Sequence, residues 1–207
     1  MPMTPPAPVA EVIASNTREI VAEVYADATV PAFGSWVEVE TEDGHVLYGL
    51  VSHAEIGSVE PGRQAAALGA HYDRDRIRRE MPQILELVRT TVRAQVLAYW
   101  DGRSRRDGRP VVRQTVPPRP AALHDRVRTC GPDAVAALAA PFDVLRTLAR
   151  NPDPAVPADD LLAAALRNLA DAHGDEGDAI LVEAGRALAR LLDEDHERLQ
   201  SILRRVR

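Results

Sequence analysis

The sequence predicts an α+β chain: a small all-β module with a helical insert on the N-terminal side and an all-α region behind it. Three observations predict this. Residues 9–56 break into short β-rich runs separated by turn signals. β character then returns over residues 90–116 after a charged stretch. From Pro132 onward the apolar period changes from two residues to that of a helix.

The first strand expected is Val9 to Ala14, and Ser15-Asn16-Thr17 supplies a turn because short polar side chains bond nearby backbone groups. Glu19 to Tyr25 follows, with Ile20, Ala22 and Val24 on one face. Residues 26–35 contain Pro31 and Gly34 and form a connection. Trp36 to Glu42 is the clearest strand, its valines expected inward and its glutamates toward solvent. Asp43-Gly44 then predicts a type I′ hairpin turn, which needs a positive φ at both central residues. Val46 to Val51 returns, and Gly49 marks a bulge or a close backbone approach.

Residues 58–73 form a long connection turning at Pro61-Gly62. A helical insert covers about 74–88, its second half starting at Pro82, where proline suits a first helical position. Thr90 to Trp100 and Val111 to Val116 are strands, separated by the polar turn DGRSRRDGR at 101–109. A proline-rich exit at 117–120 precedes a last strand over Leu123 to Thr129.

The tail is helical. Residues 131–150 form a connecting helix interrupted near Pro141, and the proline-rich stretch 151–157 is the expected domain boundary. Acidic Asp159 and Asp160 open the next helix near the positive end of its dipole, and Leu162, Leu166 and Leu169 stripe it. Two further helices over 178–192 and 194–206 carry leucine faces.

Composition excludes several chemistries. The chain has no lysine, so all 25 basic residues are arginine. A phosphate-binding P-loop, a Schiff-base lysine and protein-kinase chemistry all require that missing amine. One cysteine, Cys130, permits no internal disulfide or cysteine metal cluster; it is expected as a small buried hydrophobe or inert thiol. The six histidines (His45, His53, His71, His124, His173 and His196) show no spacing that sets two ligands on one face. Neither Ser15 nor Ser58 lies in a nucleophile motif. Catalytic, cofactor and metal residues are therefore not expected. No apolar run is long enough for a membrane helix and residues 1–8 lack signal-peptide character, so a cytoplasmic protein is expected.

Charge is unevenly spread. Residues 1–73 hold two arginines and eleven acids, 74–150 sixteen arginines and eight acids, and 151–207 seven arginines and twelve acids. Within the basic middle, Arg103, Arg105, Arg106 and Arg109 share one loop. Guanidinium forks there suit phosphate oxygens or an acidic protein surface, and the plain alternative is a solvated hairpin tip. Glu60-Pro61-Gly62-Arg63 is either a functional loop or a turn between strands.

The first strand with its ASNT turn, the WVEVETEDGHVLYGLV hairpin, the helical insert, the VRAQVLAYWDG strand and the PPRPAALHDRVR exit together resemble a HAS-barrel. This is the small β-barrel at the front of HerA-type DNA-translocating ATPases and, in related form, of F-type ATP synthase subunits. The resemblance covers roughly residues 9–130 and implies a barrel there; residues 158–207, behind the proline-rich stretch, read from their own periodicity as a helical C-terminal domain. The ATPase core that follows the barrel in HerA-like proteins has no counterpart in this chain. The resemblance thus implies a non-catalytic assembly or adaptor protein that binds a HerA-like ATPase or NurA-like nuclease in DNA processing or repair. It offers no catalytic residues to carry over. A self-assembling scaffold without a nucleic-acid role is the competing expectation.

Overall fold

The computed structural model describes residues 6–58, 72–81, 87–151 and 153–206. The chain is α+β. Six antiparallel strands close into a barrel: β1 (Ala10–Ser15), β2 (Glu19–Val24), β3 (Trp36–Glu40), β4 (Val46–Ser58), β5 (Val88–Trp100) and β8 (Arg126–Thr129). Their order round the barrel is β1-β2-β5-β4-β3-β8, and β8 returns to β1 through Ala10 opposite Val127. The period of two decides the interior: Val12, Ile20, Ala22, Val37, Val39, Leu47, Val51, Val92, Ala94, Val96 and Val127 fill it.

The β1–β2 turn forms as its composition dictates. The Asn16 side chain accepts from the amides of Arg18 and Glu19, at 2.8 and 3.1 Å. At the β3–β4 turn the expected type I′ geometry is not found. Of the Asp43-Gly44 pair only Gly44 has a positive φ, +81°. The Thr41 amide bonds the His45 carbonyl and the Gly44 amide the Thr41 carbonyl, each at 2.9 Å. This is a three-residue loop in which a single left-handed glycine matches the strand twist, so Asp43 needs no positive φ. At Gly49 the register shift expected of a bulge is found, with Leu97 of β5 as the extra residue, and the close neighbour is a side chain rather than backbone. The register shifts between Tyr48 and Gly49, and a Cβ at Gly49 would stand 3.0 Å from that of Ala94.

Residues 111–116 do not form the expected strand. Tyr99 and Arg113 exchange one pair of backbone hydrogen bonds and the Val111 amide bonds the Ser104 carbonyl at 2.9 Å, but no continuous ladder forms. Pro110, Pro117 and Pro118 lack the amide hydrogens a ladder requires. The barrel is instead closed by β8. In the insert, α1 covers Arg74–Glu80, capped by Asp73 accepting from the Arg76 amide at 2.7 Å. Val88 is not helical but opens β5. Most of the expected Pro82 helix, the turn at Pro61-Gly62 and His71 lie outside the described residues.

The helical region comprises α2 (Pro132–Ala136), α3 (Asp143–Ala149), α4 (Ala158–His173), a 3₁₀ turn at Gly174–Glu176, α5 (Gly177–Leu191) and α6 (His196–Val206). It packs on the outside of the barrel. Trp36, Tyr48, Leu50, Leu97 and Ala98 join Leu138, Leu145, Leu148, Leu161, Leu162 and Leu166 in one buried cluster. Trp36, expected on the solvent face of its strand, is 1% exposed, and Glu38 on that face is half-buried. Strands covered on both sides read as continuous apolar runs, and β4 does so over LYGLVS. The stretch 151–157 joins α3 to α4 without dividing this cluster. Leu203 is the exception among the striped leucines, at 40% exposed.

Two polar devices fix the docking. Buried Gln114 donates to the carbonyls of Leu138 and Ala140 at 2.8 and 3.0 Å, and accepts from the Val144 amide at 3.1 Å. It thereby serves the start of α3, whose N-terminal flank has no side-chain cap of its own. Arg198 of α6 bonds Asp159 at 2.8 Å and the Ala149 carbonyl at 3.2 Å, tying α6 to the start of α4 and the end of α3. No helix among the described residues is long and apolar enough to cross a membrane.

Candidate functional site

The four arginines singled out in the sequence lie on a small hairpin that continues from β5. Its base is built by Asp101. The carboxylate accepts from the amides of Arg103 and Ser104 at 3.0 and 2.6 Å and from the Ser104 hydroxyl, and pairs with Arg113 at 3.5 Å. The Ser104 hydroxyl and amide, then the Arg103 amide, hold this carboxyl well below the usual carboxylate range. Trp100 Nε1 donates to the Ser104 carbonyl at 2.7 Å. Gly102 (φ +74°) is obligatory, because a Cβ there would lie 2.2 Å from the Gly44 carbonyl oxygen. The hairpin base therefore rests on the β3–β4 turn.

The hairpin itself is β6 (Arg105–Arg106) and β7 (Arg109–Pro110), joined by Asp107-Gly108 with φ values of +51° and +78°. This is the type I′ pattern expected of the other Asp-Gly pair. Arg106 stands directly opposite Arg109, so these two side chains share a face. Arg105 is drawn away, its guanidinium 4.8 Å from the Trp100 ring centroid and 3.2 Å from the Gly108 carbonyl. Arg103 is exposed in the turn below. The fold thus brings Arg106 and Arg109 together and separates Arg105 and Arg103 from them. None of the four makes an ion pair among the described residues.

A second feature gave no signal in the sequence. An open groove of about 540 Å³ lies where β5 leaves β2. Asn16, Arg18 and Glu19 of the β1–β2 turn form one wall, and Arg146, Thr147 and Arg150 at the end of α3 with Asn151 and Asp153 form another. Val96, Leu97 and Val116 supply its apolar part. Only the tertiary fold brings Arg18 together with two arginines more than a hundred positions later.

No family model matches the chain, and no curated protein matches it.

The remaining candidates fall into structural places. Cys130 packs against the shared cluster, and burial pushes its thiol far up, away from the nucleophilic thiolate. His124 contacts Glu11 at 2.5 Å, and Tyr25 donates to the same carboxylate at 3.3 Å, across the β1–β2–β8 surface. Asp43 is paired with His45 at 3.2 Å. Among the described residues no three metal-binding side chains converge. Glu60, Pro61, Gly62 and Arg63 lie outside the described residues.

Proposed function

We propose that this chain is a non-catalytic assembly or adaptor module that presents the basic hairpin to an anionic partner. The observation that carries the reading is the hairpin's geometry: Arg106 and Arg109 stand side by side without an ion pair among the described residues, on a base held by Asp101, Gly102 and Trp100. The closed barrel supports the HAS-type resemblance, in which the module works beside a HerA-like DNA-translocating ATPase or a NurA-like nuclease. Phosphate oxygens of DNA are the anion that this reading favours.

The test is a salt titration of duplex binding by the full chain. If the four arginines bind phosphate, replacing them by alanine reduces the slope of log K against log salt by roughly 0.9 for each phosphate that is no longer neutralised. A wild-type chain that shows no duplex binding at low salt refutes the DNA contact. Affinity capture from native cells addresses the partner. Recovery of no ATPase or nuclease counts against the adaptor role.

One observation favours the second reading, a self-assembling scaffold. β4 runs past β3, so residues 53–57 pair only with β5 among the described residues. Ile56 on this ribbon is 71% exposed. Open apolar edges invite strand pairing between chains. A concentration-dependent mass in solution that reverts on Ile56→Lys would support this reading.

A further inference from the structure

We infer that the groove between the β1–β2 turn and the end of α3 is a second binding site, separate from the basic hairpin, for an extended peptide segment of a partner protein that carries acidic side chains beside aliphatic ones. The inference goes beyond the hairpin reading and does not depend on it.

Three features define the occupant. Arg18, Arg146 and Arg150 line the groove from separate elements, and none of them is in an ion pair among the described residues. Three guanidiniums without an ion-pair partner among the described residues suit anionic groups, and forked donors favour carboxylates or phosphates. Val96 and Leu97 lie buried beneath the groove, Val96 in the barrel interior and Leu97 in the cluster shared with the helices, and Val116, 55% exposed, is the aliphatic side chain left open at its edge. Asn16, Gln95, Thr147 and Asn151 complete the rim with neutral donors and acceptors.

The same lining decides against nucleic acid. Glu19 and Asp153 lie among the arginines, so the groove carries a net charge of three minus two, or +1. A polyphosphate backbone would meet both carboxylates, whereas a peptide can set single acidic residues against the arginines and place neutral ones elsewhere. No aromatic side chain lines the groove for a base to stack on. At about 540 Å³ and open to solvent, the groove suits a few residues of extended chain.

The reason for the groove lies in the sheet. β5 keeps its neighbour on this edge as far as Val96, whose amide bonds the Arg18 carbonyl at 2.9 Å, and gains another where Tyr99 bridges Arg113. The gap between those points is what α3 overhangs. The groove's lining on β5 ends at Leu97, three residues or about 10 Å along a strand before Trp100 at the hairpin base, and none of the hairpin arginines lines it.

The experiment is selection of phage-displayed random peptides on the intact chain. Recovered peptides are then measured by fluorescence anisotropy against three variants. The expected result is enrichment of sequences alternating acidic and aliphatic residues, whose affinity falls roughly fivefold to tenfold with Arg146→Ala or Arg18→Ala. Arg103→Ala/Arg106→Ala leaves that affinity unchanged, and Arg18→Ala/Arg146→Ala leaves the salt slope of duplex binding unchanged. Failure of one site is thereby told apart from failure of the other. Circular dichroism confirms that each variant is folded, as expected for exposed side chains. The inference is overturned if the enriched peptides lack acidic residues or ignore the groove substitutions. It is equally overturned if no peptide is enriched, or if a single-stranded oligonucleotide binds in a manner abolished by Arg18→Ala/Arg146→Ala.

Discussion

Replacing Gly34 by alanine tests whether the helical region sits on the barrel as described. Gly34 has φ +78°, and a Cβ there would lie 2.2 Å from the Ala164 Cβ on α4. Methyl carbons in contact keep about 3.5–4.0 Å, so the overlap is about 1.5 Å. The left-handed backbone adds about 1–2 kcal/mol for any residue with a Cβ. Relieving the overlap by shifting α4 adds about 1–3 kcal/mol, typical of an overpacked site. It also strains the bond from Asn168 to the Gly34 carbonyl, at 2.8 Å. The sum is about 2–5 kcal/mol of lost stability. Ala164→Gly alone costs about 1 kcal/mol through helix propensity. In the double variant the overlap disappears while the φ cost remains. The two substitutions should therefore be less than additive, by about 1–3 kcal/mol. Urea unfolding followed by circular dichroism and by tryptophan fluorescence gives all four stabilities. The two probes should coincide, because Trp36 belongs to the cluster shared by barrel and helices. Additivity within about 0.5 kcal/mol would refute the contact between Gly34 and α4.

Two further outcomes are expected. Burial raises the pKa of Glu38, with Glu40 adding to the shift and Arg128 opposing it. The folded state therefore holds this proton more tightly than the unfolded chain, and Glu38 makes stability fall as pH rises from about 4.3, the unfolded value, through the folded one. Glu38→Gln should remove that part of the slope and stabilise the chain at neutral pH, measured by urea midpoints across pH. Gln114→Ala should cost about 2–4 kcal/mol, since the Val144 amide and two carbonyls lose their partner inside the structure. Thermal unfolding measures it, and a loss under about 0.5 kcal/mol would show that Gln114 does not hold α3.

How much of this was legible in the sequence depends on whether an element is decided by its own residues. Glu19–Val24 alternates, and its buried face is the one the alternation selects. The two Asp-Gly pairs show the limit. Arg106 pairs with Arg109, which leaves only Asp107 and Gly108 to turn, and a two-residue loop demands type I′. Glu40 pairs with Val46, which leaves a longer loop at Asp43-Gly44 and a different turn. The dipeptide is the same; the register differs, and register is a property of the paired strands. The outer face was illegible for a similar reason. Trp36 and Glu38 alternate with valines as solvent-facing residues would, and Trp36 is buried only through helices far along the chain. The basic hairpin was legible because its arginines are neighbours in sequence. The groove was not, because Arg18 meets Arg146 and Arg150 only through the fold.

The hairpin's stability bears on the proposed role. A two-stranded hairpin this short is marginal by itself, and like charges directly opposite each other weaken it further. Arg106 and Arg109 occupy that unfavourable pairing, with Asp107 as the one acidic residue between them. Asp101, Trp100 and Gly102 counter the weakness from below by fixing the strands' base, and they do so without neutralising either guanidinium. A surface loop with no binding role could relieve the repulsion by changing either arginine. In the binding role proposed above, an anion between Arg106 and Arg109 would offset this repulsion. The salt titration is therefore the measurement on which the hairpin's role depends.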